Sequence, residues 1–278
     1  MKTAIVLSGG GLSCSWSVGV VLGLVEKFKF YQPDILVAGS GNAGTAAYFC
    51  SKQFKSIENI WGNLLSNKKF LNFFRFKKIM DIDFLIDEIF KKTDPLNIKK
   101  LQKTKINLQI ATTHEKTGEI KFFSNFKKFD IFEVLRASKA IPFFYGKKIK
   151  IKKEKYCDGR LSSCVDLLLQ RAIFLGAKKI IVINVSGIYS LRKILFNFYN
   201  LLKSKIKFQK FFTKNLKKIK NFQIPNNVDF IFLEPKNKKL NLKPFLNCSK
   251  NLQKNIASGR QVVLENKNLE KFMKNLIS

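Results

Sequence analysis

The stretch Ile35-Leu-Val-Ala-Gly-Ser-Gly-Asn-Ala-Gly-Thr-Ala-Ala-Tyr48 has the residue types and spacing for nucleophilic chemistry. An apolar run enters a Gly39-Ser40-Gly41 turn and leaves through small residues, the outline of a strand-to-helix elbow. Such an elbow strains the backbone of its nucleophile, exposes the hydroxyl and sets the next helix's N-terminus beneath it. The stretch nearly spells G-x-S-x-G, and two registers compete. With Ser40 as nucleophile, the positions two before and two after, which the turn brings together, are Ala38 and Asn42. With position 42 in that place the flanks are Ser40 and Gly44, but the residue is an amide that cannot attack.

A second stretch, Leu7-Ser-Gly-Gly-Gly-Leu-Ser-Cys14, offers backbone N–H groups ahead of a helix, a geometry suited to an anion. As a dinucleotide fingerprint it fails, because G-x-G-x-x-G needs glycine at Cys14, and it lacks the Lys-Ser/Thr of a nucleotide loop. Donors at Gly9, Gly10 and Gly11 could instead cradle the oxyanion of an acyl-transfer intermediate. The chain contains a single histidine, His114, inside the turn-rich segment His114–Gly118. A Ser-His-Asp triad would have to use it, although its position suits a solvated polar residue. No His/Cys/carboxylate cluster has metal-ligand spacing, so neither metal nor cofactor is expected.

The elements that must position these groups alternate. Thr3–Leu7 reads as a strand, and Ser15–Phe28 as a helix with Trp16, Val20, Leu24 and Phe28 on one face. Ile35–Ala38 is a second buried strand and Gly41–Cys50 a small-residue helix. Helices are expected at 56–65, 83–90, 131–140 and 165–175, and strands at 106–112, 120–123, 179–185 and 229–233, with two helices after the last. This pattern predicts an α/β fold: a mostly parallel sheet flanked by helices on both faces. No repeat or linker divides the chain, so one domain over 1–278 is expected, its motifs within 4–186 and a C-terminal part over 187–278.

In these motifs the chain resembles the patatin-like phospholipase family, which pairs a glycine-rich oxyanion loop with a serine elbow and a later Asp-Gly dipeptide. In that family the elbow strand opens with an aspartate and the serine follows six residues later; Asp34 and Ser40 stand in that relation. Ala43 and Ala46-Ala47 then fall in step with the family's x-G-A-L-N-A-A run, so the resemblance selects Ser40. Gly9–Gly11 through Gly19-Val20 resembles the oxyanion loop and first helix. Ala111-Thr112-Thr113 with Thr117-Gly118, and Ala137-Ser-Lys-Ala-Ile-Pro142, resemble mid-domain segments. Tyr156-Cys-Asp-Gly-Arg160 looks like the Asp-Gly motif. Departures from the family pattern fall at Ser13, Cys14, Ala38, Asn42 and Arg160.

The resemblance implies a Ser–Asp dyad of Ser40 and Asp158, an oxyanion hole at Gly9–Gly11, and supporting roles for Gly39, Gly41, Asn42 and Gly159. A dyad needs no histidine. Partial burial raising the Asp158 pKa would make it a general base; in isolation, Asp before Gly is more often a turn or cap residue. The implied activity is hydrolysis of fatty-acyl esters of phospholipids or other acyl-lipids through an acyl-serine. The departures keep a second reading open, an inactive patatin-like module that binds anionic membranes.

Charge bears on partners. The formal net charge is +33, yet residues 1–66 hold five lysines and three acids. Such a field attracts anionic membranes or nucleic acid, although over-use of Lys, Asn, Phe and Ile also fits an A/T-rich genome. Leu191–Gln223 carries ten Lys/Arg and no acid, with apolar residues at helical steps. That suits a helix in an anionic membrane interface, or an ordinary surface helix. No nucleic-acid-binding signature accompanies it, so no specific nucleic-acid partner is expected. Five cysteines at no framework spacing fit reduced thiols and a cytoplasmic location, peripheral to the inner membrane face. Residues 3–25 are uncharged, but three glycines interrupt them, so neither signal peptide nor transmembrane segment is expected.

Overall fold

The computed structural model describes residues 1–278 apart from 76–77, 143, 160–164, 186–221, 236–247 and 278. The basic amphipathic stretch Leu191–Gln223, except its last two residues, and the departure at Arg160 therefore lie outside the described residues.

Among those residues one sheet contains β1 (Lys2–Leu7), β2 (Ile35–Gly39), β3 (Asn107–His114), β4 (Ile120–Ser124), β5 (Ile149–Ile151), β6 (Glu154–Asp158), β7 (Ala177–Ile183) and β8 (Asp229–Leu233). Its order is β5-β6-β3-β2-β1-β7-β8, with β4 also paired to β3. The run β3-β2-β1-β7-β8 is parallel, whereas β4 and β6 lie antiparallel to β3. The expected mostly parallel α/β sheet is what forms.

The helices are α1 (Cys14–Phe28), α2 (Gly41–Cys50), α3 (Phe54–Gly62), α4 (Ile98–Lys103), α5 (Ile131–Lys139), α6 (Val165–Phe174), α7 (Ser249–Glu265) and α8 (Lys267–Ile277), with a π-type helix over Phe84–Thr93. Alternation along β1 divides the core. Ile5 and Leu7 join the large cluster with Trp16, Phe49 and Ile256, while Ala4 and Val6 pack on Leu168, Leu169 and Ala172 of α6. A strand buried on both faces must be apolar throughout, which is why β1 and β2 read as unbroken apolar runs. The stretch Gly11–Phe28 is long and apolar enough to cross a membrane, but 72% of it is buried inside the fold, where α1 packs between the sheet and α7.

Two expectations need correction. The helix expected at 83–90 is a π-helix over Phe84–Thr93, and the β5–β6 hairpin was not foreseen. The hairpin turns at Lys152-Lys153, with Lys152 at φ 55°, so no glycine or asparagine marks it in the sequence.

Candidate active site

Pairing along β3 brings the two halves of the site together. Strand β2 runs up one edge of β3 and ends with Gly39 opposite Ala111. The opposite edge at this level belongs to β4, so β6, which pairs Asp158 with Thr112, must continue the edge that β2 leaves. Because β6 is antiparallel, the carboxyl ends of β2 and β6 meet head to head. Ser40 follows Gly39, and Asp158 closes β6. The Ser40 hydroxyl donates to Asp158 Oδ2 at 2.7 Å, across 118 residues of sequence.

This meeting leaves no room for side chains where the two strand ends abut. A Cβ on Gly159 would stand 2.1 Å from the Ala111 carbonyl oxygen. Ser40 itself has φ 54° and ψ −128°, a backbone conformation that costs a non-glycine residue on the order of 1–3 kcal/mol. What over-determines it is α5. The Ser40 N–H donates to Ser138 Oγ at 3.0 Å, and that hydroxyl donates to the Ala111 carbonyl at 2.7 Å. Lys139 Nζ donates to the Ser40 carbonyl at 2.9 Å. The Asp158 N–H donates to the Ala140 carbonyl, and Thr113 Oγ1 to the Asp158 carbonyl. One segment, Ser138 to Ala140, thus grips both the serine and the aspartate.

The glycine loop lies against the same elbow. Gly9 and Gly10 are buried between β1 and a 3-10 turn over Gly11–Ser13; Gly10 is extended, and Gly11 has φ 57°. A Cβ on Gly41 would come within 2.7 Å of the Gly11 carbonyl oxygen and 2.9 Å of Cys14 Sγ, so only glycine lets elbow and loop touch. Asn42 is wholly buried and donates through Nδ2 to the Ser8 carbonyl at 2.7 Å and to Ser17 Oγ at 3.1 Å. An amide here ties the start of α2 to the glycine loop, a job a small flank could not do. Gly39 meets only the Ala111 methyl, at ordinary contact distance.

Ser40, Gly11, Gly41, Gly44 and Lys139 border a narrow recess, with a cavity volume of about 30 Å³, whose other walls are almost entirely apolar, among them Leu12, Ile57, Trp61, Phe70 and Phe90. His114 does not join it. Its ring nitrogens meet Thr117 Oγ1 at 2.8 Å and Glu154 Oε2 at 3.0 Å, in the turn after β3. Cys14, Cys50 and Cys157 are buried thiols, and the Cys248 thiol is exposed. Among the described residues no group of His, Cys, Asp and Glu could hold a metal.

The model of the patatin-like phospholipase family matches residues 5–168, more than half of the chain. The chain belongs to that family. Ser40, Asp158, the glycine loop and the α5 residues that hold them all fall within the matched span. Among solved structures it is similar to VipD from Legionella pneumophila, at 12% identity and a TM-score of 0.52, covering 93% of this chain and 67% of that one. It also matches the type III effector protein ExoU at 12% identity and a TM-score of 0.46, covering 99% of this chain and 53% of that one. At such identity the likeness is one of fold. No curated protein matches the sequence.

Lys139 has no role in the sequence reading, although the segment containing it was singled out. A lysine inside Ala-Ser-x-Ala-Ile-Pro carries no local signal that it will be buried; the sheet decides that. It is 5% exposed, and burial pulls its ammonium from 10.5 down to about 7, with Asp158 and then Cys14 acting in the opposite sense. The unfolded chain therefore binds this proton more tightly than the folded one between about pH 7 and 10.5. Stability contributed by this side chain rises with pH through that window and is lowest below it. Lys139→Met keeps the stem and removes the ammonium. It is expected to stabilise the fold by roughly 2 kcal/mol at pH 7, net of the lost hydrogen bond, with the advantage vanishing by pH 10. Urea unfolding across that range measures it; an advantage independent of pH would contradict the assignment.

Proposed function

We propose that this patatin-like phospholipase hydrolyses fatty-acyl esters of phospholipids or related acyl-lipids through a Ser40–Asp158 dyad. The observation that carries the reading is the 2.7 Å hydrogen bond from Ser40 Oγ to Asp158, set at the edge of an apolar recess. The recess is narrow, about 30 Å³, so its walls must part to admit a ligand, and those Leu, Ile, Trp and Phe walls suit an acyl chain.

Ser40 Oγ attacks the ester carbonyl carbon while its proton passes to Asp158 Oδ2. The oxygen left negative takes hydrogen bonds from backbone N–H groups of the Gly9–Gly11 loop, donors fixed before reaction and therefore effective at low reorganisation cost. Collapse of the tetrahedral species expels the alcohol, which leaves with the proton from Asp158, and an acyl-serine remains. Water then attacks that ester, Asp158 takes its proton, and the returning proton restores Ser40 as fatty acid departs. The scheme uses no metal or cofactor. The thiols of Cys50, Cys157 and Cys248 fit a cytoplasmic setting, and the charge excess fits peripheral contact with an anionic membrane.

A fluorophosphonate probe tests the dyad before any substrate is known. The wild-type protein should be labelled at Ser40. Asp158→Asn, which preserves shape but cannot take a proton, should slow labelling by on the order of 10³-fold or more. Folded wild-type protein that stays unlabelled would leave the inactive membrane-binding module as the better account.

A further inference from the structure

The described residues of the segment 66–80 show an apolar side to the recess and another to solvent. Its inner residues Phe70 and Met80, with Leu65 just before it, line the recess that Ser40 borders. On its outer side Phe74 is 100% exposed and Phe73 59%, two adjacent rings at one tip. Adjacent exposed aromatics of this size mark a contact surface more often than an ordinary water-facing loop.

The tip is held in place. The Asn72 N–H donates to the Ile79 carbonyl at 2.8 Å, Leu71 and Met80 form an antiparallel bridge, and the Asp81 N–H donates to the Phe70 carbonyl at 2.7 Å. Arg75 ties the two limbs together. Its Nη2 donates to the Lys68 and Lys69 carbonyls at 3.4 and 2.9 Å, and its Nη1 pairs with Asp81 at 3.3 Å. The Phe74 N–H donates to Asn72 Oδ1 at 3.0 Å. These bonds define a turn that keeps Phe73 and Phe74 on the outside.

Charge identifies what the tip meets. Residues 66–80 contain five Lys/Arg and no acid. Arg75 and Lys78 are engaged by Asp81 and Asp83, whereas Lys68 and Lys69 stand exposed beside the rings. Aromatic rings flanked by lysines match the two layers of an anionic bilayer, acyl chains below and charged headgroups above. A protein surface would satisfy the rings but not require the basic collar.

We propose that the tip formed by residues 68–75 docks the protein on an anionic phospholipid bilayer, with Phe73 and Phe74 entering the acyl region and Lys68 and Lys69 meeting the headgroups. This rests on the acyl-hydrolase reading only for its purpose: a lipid rising beside the loop would enter the recess across Phe70 and Met80 without crossing water.

Co-sedimentation of the full chain with phosphatidylcholine vesicles, with and without phosphatidylserine, tests the docking. Replacing both rings (Phe73→Ser with Phe74→Ser) should lower partitioning onto anionic vesicles by about tenfold per ring at full insertion. Lys68→Gln with Lys69→Gln should lower it by roughly fivefold per lysine, with a weaker salt dependence than wild type. Phe74→Trp should shift its emission to the blue when anionic vesicles are added. Neither double variant should alter fluorophosphonate labelling or turnover of a water-soluble short-chain ester, which serves as a folding check. Unchanged vesicle binding by the serine double variant, or an unshifted Phe74→Trp emission, overturns the proposal. So does concentration-dependent self-association that the serine double variant abolishes while vesicle binding persists, since the patch would then belong to a second copy. A wild type inert towards every ester, with the emission shift intact, would remove the hydrolase reading and leave the docking in place.

Discussion

Ser40→Ala is expected to abolish ester hydrolysis and fluorophosphonate labelling, a loss on the order of 10⁴–10⁶-fold in turnover. The magnitude follows from the arrangement: Ser40 Oγ is the hydroxyl that Asp158 accepts from, at the point where two strand ends converge. Without it, the cradle of N–H groups and the recess can bind an ester but cannot form an acyl-serine. A companion substitution separates chemistry from strain. Ser40→Gly removes the same hydroxyl but also relieves a backbone held at φ 54° and ψ −128°. Both variants should be inert, yet the glycine variant should be more stable than the alanine variant by about 1–2 kcal/mol. Turnover with any hydrolysable acyl ester and urea unfolding of the two proteins decide the matter. Residual activity in Ser40→Ala within a factor of ten of wild type would move the nucleophile elsewhere.

The second large effect is structural. Helices α1 and α7 approach so closely that a Cβ on Gly19 would stand 1.9 Å from the Ile256 carbonyl oxygen, and one on Gly259 2.2 Å from the Trp16 carbonyl oxygen. Both obstacles are backbone, so no rotamer change can yield; the helices themselves must separate. Separation would open the packing of Trp16 and Val20 against Ile256 and would loosen Ser15, whose hydroxyl accepts from Asn255 Nδ2 at 3.2 Å. Gly19→Ala should therefore cost about 3 kcal/mol, and Gly19→Leu should exceed about 4–5 kcal/mol and leave little folded protein. Gly62→Ala is the control, because its added methyl meets Gln253 Cγ at 3.5 Å and Ile256 Cδ1 at 3.8 Å, both ordinary contacts with side-chain atoms. Its stability should stay at or above that of wild type. Thermal unfolding of the three variants tests this, and a Gly19→Ala protein as stable as wild type would show that the helices lie further apart.

The functional-site geometry explains residues that depart from the family pattern. Asn42 sits where a small elbow flank is usual, yet its buried amide reaches the Ser8 carbonyl and Ser17 and so fastens elbow to glycine loop. Cys14 stands where the loop's last glycine is usual, with its sulfur beside Gly41, 2.9 Å from where a Cβ there would lie. Asn42 and Cys14 thus both lie in the interface between the glycine loop and α2.

Local chemistry alone made much of this protein legible. Strands β1, β2 and β7 announce themselves as apolar runs, and the elbow by its glycines. Those signals are local because a strand buried on both faces and a tight turn each constrain residues close together in the chain. Family resemblance then joined Ser40 to Asp158. What no local signal could supply is how distant segments meet. The abutting ends of β2 and β6 on one edge of β3, the burial of Lys139 beneath Ser40, the contact of Gly19 with Ile256 and the turn that exposes Phe73 and Phe74 all depend on segments far apart in sequence. A lysine, a glycine or a phenylalanine has the same local preferences whether it faces solvent, a strand end or a crossing helix; only the tertiary neighbours set its environment, and with it the chemistry it can do.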